Sequence, residues 1–397
     1  MAGKHKDKIE ERDLHGFKHF KLLLPVLEQL QGNACARDKA GNRILHFDQY
    51  AALILLYFFN PIVTSLRGIQ QTSELAKVQK LLGCSRASLG SLSEAARVFD
   101  ADLLRGIIGD LVEKLPTIGK TTAFDEIQGI LTLVDGSLLP ALPKLTEAMW
   151  LNEGNRAFKL HTHFELLKGV PVRMDLTDAN TDERDVLEGC LQADRVYVLD
   201  RGYARAALFK RILDSHSSFV CRIRDNTVFE VITERELSSE ALASGVVRDA
   251  IVRLTGKYAV EAGLEAMRIV EVECKPHRKP SGHTGRGGPE QGDTILIATD
   301  ILEAPPEIIA LIYKHRWAIE TFFRFFKHML GCRHLLSHCT NGIEIQVYLG
   351  IIACLLIALW TGRKPTLRTY EMICFYFTGM ASQEELVTHI EKLAPQL

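Results

Sequence analysis

The chain has 397 residues and a formal net charge of −1, with 48 Lys and Arg against 49 Asp and Glu. This length is typical of roughly two or three domains with a large core. Hydrophobic residues make up 47% and charged residues 24%, which is ordinary for a soluble globular protein and excludes a largely disordered chain. Because the net charge is near zero, a nucleic-acid partner would have to bind to local basic clusters.

Two features of the sequence predict a cytoplasmic protein without a membrane span. The nine cysteines are scattered and include no Cys-x-x-Cys pair, and the N-terminus has no signal-peptide pattern. The longest apolar run, residues 347–360, is shorter than the about 20 residues that a membrane helix needs. This run is therefore predicted to form a buried core helix.

Residues 1–125 are predicted to form a helical, DNA-binding N-terminal domain. The run 51–59 is apolar enough for a buried helix, and 66–82 has the periodicity of one helix. Ser91 and Glu94 match a capping box that would begin the next helix, which is predicted to run from Glu94 to about Leu115. Paired short helices of this kind either read DNA or serve as ordinary core hairpins, and the sequence leaves both interpretations open.

From residue 126 the pattern changes to alternating strands and helices, which predicts a mixed α/β sheet. The predicted strands are 130–137, 158–166, 171–176, 196–199 and 219–223. Helices are predicted from Thr181 to about residue 192 and over 204–213.

Residues 226–292 are predicted to form a β-rich insertion, so that the α/β domain comprises 126–225 and 293–365. Three strands, 228–232, 246–254 and 267–274, are followed by a loop rich in Gly, Pro and basic residues. The sheet resumes at 294–298. A long helix then starts at Pro305 and Pro306, and residues 366–397 are predicted to be a short helical tail.

The long helix carries an unusual polar line. Tyr313, Arg316, Glu320 and Lys327 stand at offsets 0, 3, 7 and 14, which places them within about 60° of one another on a continuous helix. One carboxylate among cations suits a group that binds a metal while its neighbours hold phosphates. An exposed helix stabilised by i,i+4 ion pairs would show the same spacing.

Asp135 and Asp200 each follow a buried run of the predicted sheet, where α/β proteins place their ligands. Together with Glu320 they could hold Mg²⁺ or Mn²⁺, since a divalent cation offsets the repulsion between three acids. An Asp before a turn is also a common structural residue. Spacing alone does not exclude four other acids from these roles: Asp175, Asp178, Asp182 and Asp185.

Three motifs together resemble a known family. Val-Asp-Gly-Ser at 134–137, Leu-Asp-Arg-Gly-Tyr at 199–203 and the Tyr-x2-Arg-x3-Glu-x6-Lys pattern at 313–327 are similar to those of DDE transposases of bacterial insertion sequences. The third motif resembles, more narrowly, the signature of the insertion-sequence-four family. The resemblance covers about residues 125–365.

The resemblance implies an RNase H-like mixed sheet with a β-rich insertion before the catalytic Glu. It implies that Asp135, Asp200 and Glu320 are catalytic and bind two Mg²⁺ or Mn²⁺ ions. The expected enzyme is a DNA transposase that binds terminal inverted repeats, nicks the ends by metal-dependent hydrolysis and joins the 3′-OH to target DNA. We expect it to act as a homodimer on double-stranded DNA, in the bacterial cytoplasm at the nucleoid.

The DNA contacts are expected to come from basic and aromatic residues around these motifs. Lys327 would stand about 10 Å along a helix from Glu320, which is too far for it to share a metal ion. Trp317 would stack on a base or belong to the core. The full expected set is Tyr313, Arg316, Lys327, Trp317, Arg201, Tyr203, Arg324, Lys275, Arg278 and Lys279. Two alternatives are an RNase H-like structure-selective nuclease and an inactive, DNA-binding relic of a transposase.

Overall fold

A computed structural model describes most of the chain. The described residues are Leu27, Leu30, 43–117, 122–141, 149–152, 155–264, 266–274, 293–329 and 335–393.

Five helices form the described N-terminal part. They are α1 (Phe47–Phe59), α2 (Leu66–Ser73), α3 (Ala76–Leu82), α4 (Leu89–Val98) and α5 (Leu103–Lys114). The single helix predicted over 66–82 is wrong, because the chain breaks after Ser73. The Ser73 hydroxyl is buried, donates to the Gln70 carbonyl and accepts the Ala87 N–H, so a contact distant in sequence ends the helix there.

The capping box predicted at Ser91 is also wrong. Ser88 caps α4 instead, with its hydroxyl accepting the Ser91 N–H at 3.0 Å. The predicted long helix is divided into α4 and α5 because Asn341, far along the chain, satisfies the backbone between them. Its amide donates to the carbonyls of Ala96 and Phe99 at 2.8 and 2.7 Å.

The centre of the fold is a ten-stranded mixed sheet, which confirms the predicted α/β class. Its strands are β1 (Ile130–Ala141), β2 (Met149–Asn152), β3 (Asn155–Glu165), β4 (Val170–Asp178), β5 (Arg195–Leu199), β6 (Ser218–Arg222), β7 (Phe229–Glu234), β8 (Val246–Leu254), β9 (Met267–Glu273) and β10 (Thr294–Thr299). Their order is β2-β3-β1-β5-β6-β10-β9-β8-β7, with β4 also paired to β3. β5 is parallel to β1 and to β6, whereas the other pairs are antiparallel.

Apolar side chains cover both faces of the sheet. On β5, Val196 and Val198 join one buried cluster, while Tyr197 and Leu199 join the other. Two helices cover the second cluster: α6 (Glu183–Glu188) and α7 (Ala206–Asp214). α6 is shorter than predicted, and Asp182 rather than Thr181 caps it by accepting the Arg184 N–H.

The predicted β-rich region continues the sheet. Strands β9, β8 and β7 extend it antiparallel from β10, and two short helices lie between them, α8 (Ser239–Ala243) and α9 (Lys257–Ala262). The side chains of β7 are mostly exposed, since β7 ends the strand order on that side.

The C-terminal part of the fold is helical. Its helices are α10 (Pro306–Lys314), α11 (Trp317–Met329), α12 (Thr340–Thr361), α13 (Leu367–Phe377) and α14 (Gln383–Glu391). Among the described residues, α12 is the one helix long and apolar enough to cross a membrane, and 89% of its apolar window is buried. It contacts α1, α4, α5 and β4, as expected of a core helix.

Candidate active site

Asp135 and Asp200 lie at the same level on neighbouring strands. The parallel pairing of β1 with β5 sets Leu133 opposite Val198, and each acid follows two residues later. The expectation that Asp135 ends its strand is wrong, because β1 continues to Ala141 in antiparallel pairing with β3. Asp135 therefore lies where the pairing with β5 stops and the pairing with β3 goes on.

Backbone N–H groups orient both carboxylates. Asp135 Oδ1 accepts the Gly136 N–H at 2.8 Å. Asp200 Oδ1 accepts the Gly202 N–H at 2.7 Å and so caps the 3₁₀ turn Arg201–Tyr203. Asp200 is therefore a turn residue, two positions before Gly202.

Glu320 comes from a helix pair rather than from the single helix that was predicted. Between α10 and α11 the backbone tightens into i→i−3 hydrogen bonds, from the Arg316 N–H to the Tyr313 carbonyl at 3.0 Å and from the Ile319 N–H to the Arg316 carbonyl at 3.2 Å. The continuous polar line is therefore wrong. Arg316 is only 8% exposed and does not share the surface position of Lys327.

Arg316 links two of the three acids. Its Nη2 donates to Glu320 Oε1 at 2.8 Å, and its Nη1 lies 3.7 Å from Asp135 Oδ2. The guanidinium also lies 5.9 Å from the Tyr313 ring and 5.7 Å from the Trp317 ring. Its buried Nε has no hydrogen-bond partner among the described residues. Arg316 thus gathers Asp135, Glu320 and the two aromatic residues around one cation.

Burial raises the pKa of Asp135 to about 7, and the nearby Asp200 and Glu183 contribute to the rise. The Gly136 N–H and the Arg316 guanidinium act in the opposite direction. Repulsion from neighbouring acids disfavours the charged form, whereas a bound cation favours it. A cation bound here would therefore stabilise the deprotonated form of Asp135.

The raised pKa gives a prediction for stability. Between pH 3.8, the ordinary pKa of Asp, and about 7, the folded state holds the Asp135 proton more tightly than the unfolded state, so this residue makes stability fall as pH rises. Asp135→Asn keeps the neutral form and should raise the free energy of unfolding at pH 8 by about 2–4 kcal/mol. Urea unfolding in metal-free buffer at pH 4 and pH 8 measures this. An equal difference from wild type at both values would contradict it.

The remaining expected DNA contacts are not all at the surface. Arg201 and Arg324 are exposed, Trp317 is 54% exposed, and Lys327 is partly exposed. Tyr203, another expected DNA contact, is fully buried in this structure and belongs to the same apolar cluster as Leu199 and Leu208. Three expected residues, Lys275, Arg278 and Lys279, lie outside the described residues.

The four competing acids have other partners. Asp175 pairs with Arg105 and Arg173, and Asp178 accepts hydrogen bonds from Asn180 and Thr181. Asp182 caps α6 and pairs with Arg184, while Asp185 is exposed near Arg205. None of the four is among the largest influences on the pKa of Asp135.

Sequence reasoning missed Glu183, the first residue of α6. Its Oε1 lies 3.3 Å from Lys159 Nζ, and its carboxylate lies directly over Gly136. The signal that could have identified it is the glycine after Asp135, which leaves space beside the strand. The sequence does not show which side chain fills that space.

The donor set fits an oxygen-liganded divalent ion in its chemistry. The side chains around Asp135 offer carboxylate oxygens, and the buried Tyr203 hydroxyl has no hydrogen-bond partner among the described residues. Within those residues, no three His, Cys, Asp or Glu side chains converge closely enough to hold a metal. Arg316 lies between Asp135 and Glu320, so these two acids can share an ion only if the Arg316 contacts change.

A second feature of α11 is an open cavity of about 430 Å³ beside it. Four basic residues line it, His315, Arg324, His328 and Lys364, and no acid is among its described lining residues. Burial lowers the pKa of Lys364 and of His315, and the latter is lowered further by Lys314 and Lys364. A basic lining without an acid among the described residues favours an anionic partner.

A comparison with known protein families agrees with the motifs and the fold. Residues 128–356, more than half of the chain, match the model described as "Transposase DDE domain". The chain belongs to the DDE transposase family. The match includes all three motif acids, and the expected resemblance to transposases of insertion sequences is confirmed.

Individual relatives of this DDE transposase are distant. It is 27% identical over 236 residues to "Putative transposase y4zB" of Sinorhizobium fredii, covering 59% of this chain and 62% of that relative. It is 24% identical to "Probable transposase for insertion sequence element IS5377" of Geobacillus stearothermophilus, covering 76% and 74%. A piggyBac transposase synaptic complex with hairpin DNA aligns with a TM-score of 0.45 and 11% identity, over 95% of this chain and 84% of that one.

Proposed function

We propose that the protein binds the terminal inverted repeats of an insertion sequence, nicks the DNA ends by hydrolysis and joins the free 3′-OH to target DNA by transesterification. The observation that carries the proposal is the meeting of Asp135 and Asp200 on parallel strands, with Glu320 joined to Asp135 through Arg316. Two acids from separate parts of the chain, Asp135 and Glu320, are thereby held beside one buried cation, and Asp200 follows the strand next to that of Asp135.

The strand order supports an RNase H-like catalytic core. β4, β3 and β1 are antiparallel neighbours, and β5 and β6 follow parallel to β1. We assign this core to residues 126–225 and 293–365, with 226–292 as the β-rich insertion, 1–125 as the helical DNA-binding domain and 366–397 as the tail.

Asp135, Asp200 and Glu320 are the residues that would hold two Mg²⁺ or Mn²⁺ ions. Such ions supply an activated attacking oxygen and stabilisation of the leaving oxygen in phosphoryl transfer. Arg316 keeps Glu320 beside Asp135 in the described structure. If Glu320 were a ligand of such an ion, the Arg316 guanidinium would be able to bind a phosphate of the DNA end.

The exposed residues of α11 bind the DNA. Trp317 is 54% exposed, so part of its ring is accessible for stacking on a base, and Arg324 and Lys327 stand further along the same helix. Arg324 also lines the basic cavity that Lys364 completes, which extends the positive surface away from the acids. A homodimer assembled on two DNA ends in the bacterial nucleoid is the arrangement that we propose for this surface.

The test uses the DNA that flanks the gene. Inverted repeats found there are made as labelled duplexes and incubated with the purified chain, Mg²⁺ and a supercoiled target plasmid. We expect nicks at the repeat ends and covalent joining of a pre-cut 3′-OH end to the plasmid. Duplexes with a shuffled end sequence are the control.

Joining is the decisive product. Cleavage without joining of the pre-cut end would instead favour the structure-selective nuclease, because a simple nuclease does not transfer strands. Binding of the repeats with neither product in Mg²⁺ or Mn²⁺ would favour the inactive relic.

A further inference from the structure

Glu183 occupies the space beside the strand that carries Asp135. A Cβ on Gly136 would lie 2.4 Å from Glu183 Oε1 and 2.8 Å from its Cδ. Real Cβ atoms do not approach other atoms so closely. The absent side chain at position 136 is therefore what allows the carboxylate of α6 to reach the strand next to Asp135.

Tyr203 provides a second observation at this place. Its side chain is fully buried, and its hydroxyl has no hydrogen-bond partner among the described residues. Burial raises its pKa well above the ordinary value, and the charges of Glu183, Asp135 and Asp200 and a close approach of the phenol to the Glu183 carboxylate raise it further. The hydroxyl lies near Glu183 but does not form a hydrogen bond of normal geometry with it. A buried hydroxyl without a hydrogen bond destabilises the fold unless another group supplies one.

We infer that Glu183 is a fourth acid of the active site, a positioning residue that strengthens the binding of a divalent cation at Asp135 and Asp200. The inference rests on the proposed function. Its physical basis is charge and orientation, because Glu183 adds a negative charge beside Asp135 and lies against the buried Tyr203 hydroxyl. Groups that support metal ligands in this way typically change metal affinity by about 10–100-fold.

An ordinary structural role would instead make Glu183 the ion-pair partner of Lys159. Lys159 Nζ lies 3.3 Å from Glu183 Oε1 and also donates to the Thr181 carbonyl at 3.2 Å. The two roles differ in the change of metal affinity that is expected when Lys159 is replaced. If the ion pair alone matters, loss of either partner has the same effect. If Glu183 serves a cation, loss of Lys159 removes a competing positive charge.

The experiment is a titration of the full chain with Mn²⁺ alone, followed by calorimetry. We expect Glu183→Gln to weaken Mn²⁺ binding about tenfold or more, and Lys159→Gln to leave it unchanged or tighten it. Glu188→Gln is the matched control on the same helix, because Glu188 lies beside Arg211 at 3.8 Å and is not among the groups that perturb Asp135. Far-ultraviolet circular dichroism checks that each variant is folded.

Gly136→Ala moves Glu183 without removing its charge. The new methyl group would collide with the end of a flexible side chain, so the strand is expected to stay and the carboxylate to shift. We expect Mn²⁺ affinity to fall, with little further loss when Glu183→Gln is added. Additive losses would mean that the two positions act separately and would overturn the inference.

Asp135→Asn distinguishes a failure of the inference on Glu183 from a failure of the proposed function. If Asp135→Asn weakens Mn²⁺ binding but Glu183→Gln does not, or if Lys159→Gln weakens it as much as Glu183→Gln, the inference is wrong and the proposed function stands. If the wild-type chain binds no Mn²⁺, or if Asp135→Asn has no effect on binding, the proposed function itself is contradicted.

Discussion

Asp135→Asn, Asp200→Asn and Glu320→Gln should each reduce cleavage of end-bearing DNA by roughly 10³-fold or more, while binding to the same DNA survives. Each change keeps the size of the side chain and removes one of the negative charges gathered at β1, β5 and α11. Metal assistance is worth several kcal/mol of transition-state stabilisation, and each 1.4 kcal/mol changes the rate tenfold. Nicking of a labelled repeat duplex measures cleavage, and a gel shift on the same duplex measures binding.

An acid outside the site provides the control. Asp185 is exposed on α6 near Arg205, so Asp185→Asn should cleave at the wild-type rate. Glu320→Gln differs from the two Asp variants in one respect, because it also loses the charge-assisted hydrogen bond from Arg316. Metal-dependent nicking retained in all three site variants would exclude the proposed chemistry.

The strands could be predicted from the sequence because their signal is local. β5 and β8 lie within a residue or two of the predicted 196–199 and 246–254. Their side chains alternate between two buried faces or form short apolar runs, and both patterns are visible without knowledge of the partner strands. The short strand β2 was not predicted, because its apolar residues Met149, Trp150 and Leu151 form too short a run to distinguish a strand from a helix.

Helix ends could not be predicted where a distant residue sets them. Asn341 satisfies the backbone between α4 and α5, and the Ala87 N–H meets the Ser73 hydroxyl where α2 ends. The break at Arg316 is of the same kind, since its side chain turns towards Asp135 on another element. Periodicity describes a continuous helix in each case, and only tertiary contacts show the interruption.

In the candidate site, too, some residues could be predicted from local sequence and others could not. Asp135, Asp200 and Glu320 were predicted because their motifs are short and local. Glu183 was missed because its position depends on how α6 lies over β1, and the burial of Tyr203 depends on the turn after β5. Position in a motif therefore led to the three predicted acids but gave no indication of the side chains packed around them.

Arg268→Met should lower the free energy of unfolding by about 3–5 kcal/mol, the range for removing one partner of a buried ion pair. Arg268 is fully buried and Asp249 is 2% exposed. The guanidinium donates to both oxygens of Asp249 at 2.8 Å, and it also donates to the carbonyls of Ile301, Leu302 and Ala304. Urea unfolding at pH 7 measures the loss.

The matched control is Arg248 on β8, the strand that also carries Asp249. Arg248 pairs with Glu234 at the surface, where both side chains are at least one-third exposed. Exposed pairs contribute about 0–1 kcal/mol, so Arg248→Met should cost no more than that. Equal losses of unfolding free energy in the two variants would mean that the buried pair stabilises the fold no more than the exposed pair does.

The position of Arg268 extends this prediction to the site. The three carbonyls that it holds lie just before α10, the helix that ends next to Tyr313 and Arg316. The pair therefore fixes the β-rich strands β8 and β9 to the segment that leads to Glu320. We expect Arg268→Met to slow DNA cleavage even at temperatures where the variant is folded, whereas Arg248→Met should not. Normal cleavage by folded Arg268→Met would confine the pair to a role in stability.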